Sequence, residues 1–142
     1  MAGVLTALLS GALMSIQGVF NTEVTKQTST WLAAGWVQLS AFAACFTAWC
    51  ITGREPIAEL FRVKPWYLLL GGVIGALITI TVIWSMAGLG PAKAAMLIVI
   101  SQLVAAWLIE LFGLFGMERT AFAVRKLIGM AIAVVGIIVF QV

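Results

Sequence analysis

The chain has 142 residues, of which 63% are apolar and 9% charged. A soluble domain carries about 25% charged residues, so this composition leaves too little polar surface to cover a water-facing globule. The net charge of +3 is carried in short seams between apolar runs, where basic residues report orientation across a membrane rather than a nucleic-acid partner.

Five apolar stretches, about 2–21, 31–52, 66–88, 92–112 and 122–141, fill residues 1–142 as a single transmembrane domain. Each approaches the roughly 20 residues that span a hydrocarbon core about 30 Å thick. The runs are continuous rather than alternating, which selects helices over a closed barrel. The first stretch has no Lys or Arg before it and no small-x-small cleavage signal after it, so it reads as a retained helix. It closes on Gln17-Gly-Val-Phe-Asn21, and a polar seam follows at 24–30. The second stretch stops at Gly53-Arg54-Glu55-Pro56, a strong breaker. Residues 57–64, with Glu59, Arg62 and Lys64, predict a short surface turn of helix. The third stretch ends at Gly88-Leu-Gly90-Pro91, and Pro91 suits the first turn of the fourth. The fourth ends near Gly113. The fifth begins just before Arg125-Lys126.

An odd number of crossings puts the termini on opposite faces. The N-terminal face then receives Arg54, Arg62, Lys64, Arg119, Arg125 and Lys126, and the other face only Lys26 and Lys93. Six against two in short loops predicts a cytoplasmic N-terminus and an external C-terminus. Trp49, Trp66, Tyr67 and Trp107 fall toward the inner border, and Trp31, Trp36 and Trp84 toward the outer one, as an aromatic belt requires.

Several segments carry a family likeness: Gln17-Gly-Val-Phe-Asn21, Gly88-Leu-Gly-Pro-Ala92, Ser101-Gln102-Leu-Val, Ile109-Glu110-Leu-Phe-Gly113 and the closing Gly129-Met-Ala-Ile-Ala-Val-Val-Gly136. In this order they resemble the small YdcZ-like members of the drug/metabolite transporter superfamily, over essentially the whole chain. The resemblance implies an all-α integral membrane protein of the bacterial inner membrane. It implies five transmembrane helices equivalent to one half of a ten-span transporter, and secondary transport of a small organic solute. Related four-helix exporters hold a glutamate inside their first helix. This chain departs from that pattern, with no acidic residue in the middle of its first stretch and Glu23 only at its border.

Alternating access usually needs two repeats rocking about a central site, and five helices supply one. The expected partner is a second five-helix subunit in the opposite orientation. A paralogue with reversed loop charges is preferred because the bias disfavours inverting the same chain; self-pairing is the alternative. Helices in lipid associate through small residues and polar contacts. Gly71, Gly75 and Thr79 form one such face, and Gly129, Ala133 and Gly136 another. Either serves a dimer or packing within the chain.

Polar side chains at membrane depth are costly and mark candidate sites. Thr6, Ser10, Gln17 and Asn21 fall within about 60° on a helical wheel. Gln102, beside Ser101, lies near the midplane of the fourth stretch. Gln38, Thr79, Thr81, Trp84 and Ser85 add polar or aromatic groups. As a substrate site, Gln17, Asn21 and Gln102 orient the solute, Ser10 and Ser101 assist, and Trp84 packs on it. As structural groups, the amides tie helices together, and the hydroxyls of Ser10, Thr79 and Thr81 bond their own helix. Trp36, Trp84 and Trp107 suit cavity walls or a belt equally. Glu110 is expected to pair with Arg119 or Arg125 or to reach water. Glu23 is expected to pair with Lys26, and Lys93 to snorkel. The two cysteines, Cys45 and Cys50, read as small apolar fillers. The sequence has no His, phosphate loop, paired catalytic carboxylates or nucleophile–base pair, so neither an enzyme, a cofactor nor a metal site is expected. A small dimeric channel and a non-transporting subunit of a larger complex are the competing functions.

Overall fold

The computed structural model describes residues 1–53 and 55–141; Arg54, one of the charges assigned to the inner face, lies outside them. The described residues form five α-helices: α1 Ala2–Gln27, α2 Thr30–Thr52, α3 Gly71–Leu89, α4 Pro91–Phe112 and α5 Val124–Gln141. A 3₁₀ turn, Trp66–Leu70, leads directly into α3. Four helical segments are long and apolar enough to cross a membrane: Ala2–Gln27, Thr30–Thr52, Trp66–Leu89 and Pro91–Phe112. The fifth helix, α5, has 18 residues. The chain divides into two units, Met1–Gly88 and Leu89–Val142.

In the first unit α1 runs six residues beyond the apolar stretch that predicted it. Polar composition alone does not end a helix when its side chains are satisfied along the helix itself. The Thr22, Thr25 and Thr28 hydroxyls donate to the carbonyls of Gly18, Asn21 and Val24, each at 2.8 Å. Glu23 pairs with Lys26 one turn away, as expected. Thr28 and Ser29 then make the turn, and the Ser29 hydroxyl caps α2 by accepting from the Leu32 N–H at 3.2 Å. Asn21, Thr22, Ala33 and Ala34 are buried within about two turns of this connection.

Both helices also meet α3. At Gly18 of α1 the side chains of α3 fill the space a Cβ would take: it would lie 2.5 Å from Met86 Cε and 3.2 Å from Val82 Cγ1. The Gln38 amide of α2 donates to the Gly72 carbonyl at 3.4 Å and sits 3.4 Å from the position of a Cβ on Gly75. Ile80, Ile83 and Met86 are the buried side chains of α3, and Ile83 is fully enclosed. The expected surface turn appears as a 3₁₀ segment, Ile57–Arg62. It follows a ladder of Phe42, Phe46 and Trp49 on α2, with ring centroids 5.7 and 5.5 Å apart. The Trp49 indole N–H fastens the loop by donating to the Glu55 carbonyl at 3.3 Å.

In the second unit Pro91 occupies the first turn of α4, where its missing N–H costs nothing. The helix ends on Gly113 in the left-handed region, φ 65°. The stem of Arg119 folds over this glycine, and the Thr120 N–H donates to the Glu110 carbonyl at 3.0 Å. Trp107 meets Phe122 at 5.8 Å. Glu110 pairs with Lys126 of α5 at 2.7 Å, rather than with Arg119 or Arg125. The folded loop holds the Arg119 stem over Gly113, while Lys126, two residues into α5, reaches back across to α4. Gly113→Ala is expected to lower stability by about 1–2 kcal/mol, because an L-residue is strained at this φ and its Cβ would meet Arg119 Cγ. Thermal unfolding of the purified protein in detergent measures it.

Candidate functional site: a groove along the first helix

α1 presents two distinct polar faces. Gly11, Ser15, Gly18 and Thr22 lie on one stripe, and Thr6, Ser10, Gln17 and Asn21 on another, about 120° away around the helix. The first stripe turns toward α3 through Gly18. Its hydroxyls are closed on their own helix, Ser15 on Gly11 O at 3.2 Å and Thr22 on Gly18 O at 2.8 Å.

The second stripe lines a groove of about 790 Å³ between α1 and α2. Across the groove stand Trp36, Val37, Ser40 and Ala41 of α2. Here the side chains are satisfied differently. Thr6 donates to Ala2 O at 2.9 Å and Ser40 to Val37 O at 3.0 Å. The Ser10 hydroxyl and the Gln17 and Asn21 carboxamides have no hydrogen-bond partner among the described residues. This reverses the expectation that Ser10 bonds its own helix; Thr79 and Thr81 do so, on Gly75 O at 3.0 Å and Leu77 O at 2.9 Å. Asn21 is the most constrained of the three, with 8% of its surface exposed. Ser10, Gln17 and Asn21 are spaced by seven and four residues, and so span about 16 Å of helix axis.

The other predicted binding residues stand elsewhere. Trp84 of α3 is 59% exposed and does not line the groove. Gln102 and Ser101 belong to α4 in the second unit, where both are exposed. Ser101 donates to Ile98 O at 2.8 Å, while the Gln102 amide makes no hydrogen bond among the described residues. Gln38, one of the polar groups expected at a cavity, is instead engaged with α3.

The small-residue faces also divide. Gly75 is covered by Gln38, whereas Gly71, Gly129 and Gly136 have nothing within 4 Å of a built Cβ; Ala133 is half-buried. Gly18, the tightest glycine facing another helix, was not among the packing candidates. The signal for it is present in the heptad-like run Gly11, Ser15, Gly18, Thr22. The neighbouring polar stripe draws attention away from it.

A family model described as "Putative inner membrane exporter, YdcZ" matches residues 2–139. The chain belongs to the YdcZ family. The resemblance read from its short apolar segments is thereby borne out over nearly the full length. Family membership and the four spanning-length helices make this YdcZ protein a multi-pass protein of the inner membrane, concerned with membrane transport. No curated protein and no solved structure matches the chain.

Proposed function

We propose that this YdcZ chain is one half of an exporter-type transporter that moves a small organic solute by alternating access, paired with a second five-helix subunit of opposite orientation. The observation that carries the reading is the contrast between the two faces of α1. On the stripe that meets α3 at Gly18, the Ser15 and Thr22 hydroxyls are closed on their own backbone. On the stripe that lines the groove Thr6 is closed in the same way, but the Ser10 hydroxyl and the Gln17 and Asn21 carboxamides make no hydrogen bond among the described residues. Unsatisfied amides at membrane depth are costly unless a ligand or a partner answers them. Ser10, Gln17 and Asn21 orient the solute from α1. Gln102 of α4, whose amide makes no hydrogen bond among the described residues, is a separate candidate contact within the second unit, with Ser101 beside it.

In this reading α5 is the fifth crossing. The N-terminus is cytoplasmic and the C-terminus external, as the loop charges dictate. The open glycines Gly71, Gly129 and Gly136 are available for close approach by the partner. A paralogue with reversed loop charges is the preferred mate. Replacing Gln102 with Leu is expected to preserve insertion and abolish solute flux in reconstituted vesicles. Full flux by Gln102→Leu removes that residue from the site, and full flux by a purified monomer removes the dimer.

A further inference from the structure

The groove on α1 is polar without being charged. Thr6, Ser10, Gln17, Asn21 and Ser40 supply hydroxyls and amides, and no Lys, Arg or Glu among the described residues lines it. The nearest charges on α1, Glu23 and Lys26, pair with each other. Glu23 follows Asn21 by two residues, about 200° around the wheel, which turns it to the opposite side of the helix. The rest of the wall is apolar, with Leu9, Leu13, Met14, Phe20 and Trp36 prominent.

Resting on the transport reading above, we infer that this groove binds an uncharged amphiphile, its apolar body against the Leu, Phe and Trp wall and its hydrogen-bonding group held by Gln17 and Asn21. A carboxamide offers both donors and an acceptor, so a neutral hydroxyl, amine or carbonyl on the solute finds a complement. A charged solute entering the same groove sheds water and meets no counter-charge, which amide dipoles do not offset. Asn21 sharpens this. The residue is only 8% exposed and lines the groove, and its carboxamide makes no hydrogen bond among the described residues while its polar atoms stay accessible, so they are open to a ligand lying in the groove. A lipid tail lying in the groove leaves that amide unmet, and a neutral solute with one polar group meets it.

Binding to the full chain in lipid nanodiscs tests this, with empty nanodiscs as the blank. The probes are N-phenyl-1-naphthylamine, which is uncharged; 8-anilino-1-naphthalenesulfonate, the same skeleton carrying a sulfonate; and tetraphenylphosphonium, an aromatic cation. The uncharged probe is expected to bind saturably and about tenfold or more tighter than either ion. Gln17→Leu combined with Asn21→Leu is expected to weaken it about tenfold, and Gln17→Glu to strengthen tetraphenylphosphonium binding by a similar factor. Where the double variant loses its helical circular dichroism, the near-isosteric Gln17→Glu decides alone. Equal or tighter binding of either ion to the unsubstituted chain overturns the inference. So does the absence of saturable binding of the uncharged probe, or indifference of the cation to Gln17→Glu. Binding is read without flux, so a chain that binds the uncharged probe and transports nothing defeats the transporter reading alone. Vesicles that move the cation and not the uncharged probe defeat this inference alone.

Discussion

Gly18→Leu is expected to part α1 from α3. A Cβ at this position would already lie 2.5 Å from Met86 Cε, 2.6 Å from Met86 Sδ and 3.2 Å from Val82 Cγ1. Alanine meets mainly the flexible end of a methionine, which swings aside, and it gains about 0.8–1 kcal/mol of helix propensity over glycine. Gly18→Ala is therefore expected to be close to neutral. Leucine adds further carbons that Met86 alone does not accommodate, and overpacking of this kind costs about 1–3 kcal/mol. The loss is sharper in a membrane, where no hydrophobic drive compensates for a poor fit between helices. Gly18→Leu is expected to lower the melting temperature in detergent clearly below that of Gly18→Ala. Adding Met86→Ala restores room and should recover part of the loss, so the two substitutions couple in a double-mutant cycle. If Gly18→Leu is as stable as the unsubstituted chain, the packing of Met86 and Val82 over Gly18 is wrong.

Redistributing the loop charges is expected to invert the chain in the membrane. Replacing Arg54, Arg62, Lys64 and Arg125 with glutamine takes four of the six basic residues from the N-terminal face and leaves two there. Adding Gln27→Lys and Thr28→Lys raises the other face from two to four, at positions that are exposed. This choice spares Lys126, which is bound to Glu110, and Arg119, whose stem covers Gly113. Glu118→Cys, in a chain with Cys45 and Cys50 replaced by alanine, reports the outcome because Glu118 is exposed in the loop after α4. Before the redistribution, an impermeant maleimide is expected to label it only in permeabilised cells. Afterwards the majority is expected to be labelled in intact cells. A large externally labelled fraction before any redistribution counts against a fixed orientation and favours pairing of the chain with inverted copies of itself.

Helix existence was the easiest feature to read. Hydrocarbon thickness sets the length of an apolar run, and the breakers at Gly53 and at Gly90-Pro91 end two of them physically. Helix ends were harder where polar residues remain satisfied within the helix, as Thr22 and Thr25 do in α1. The polar stripe of Thr6, Ser10, Gln17 and Asn21 was legible from a 3.6-residue period, and it does line one groove. Whether each group on it is already satisfied was not legible. That depends on rotamers and neighbours: Thr6 bonds its own backbone, while Ser10 does not.

The amino-acid order by itself determined the solvent, the helical class, the family and the faces on which polar and small residues gather, because these follow from composition and period. The tertiary structure decided which of those faces is consumed. Gly18 and Gln38 are drawn into helix contacts, Glu110 takes Lys126 in place of the arginines, and Trp84 stands apart from the groove. Such choices turn on distances of an ångström between helices far apart in the sequence, and a one-dimensional pattern does not encode which stripe meets which neighbour.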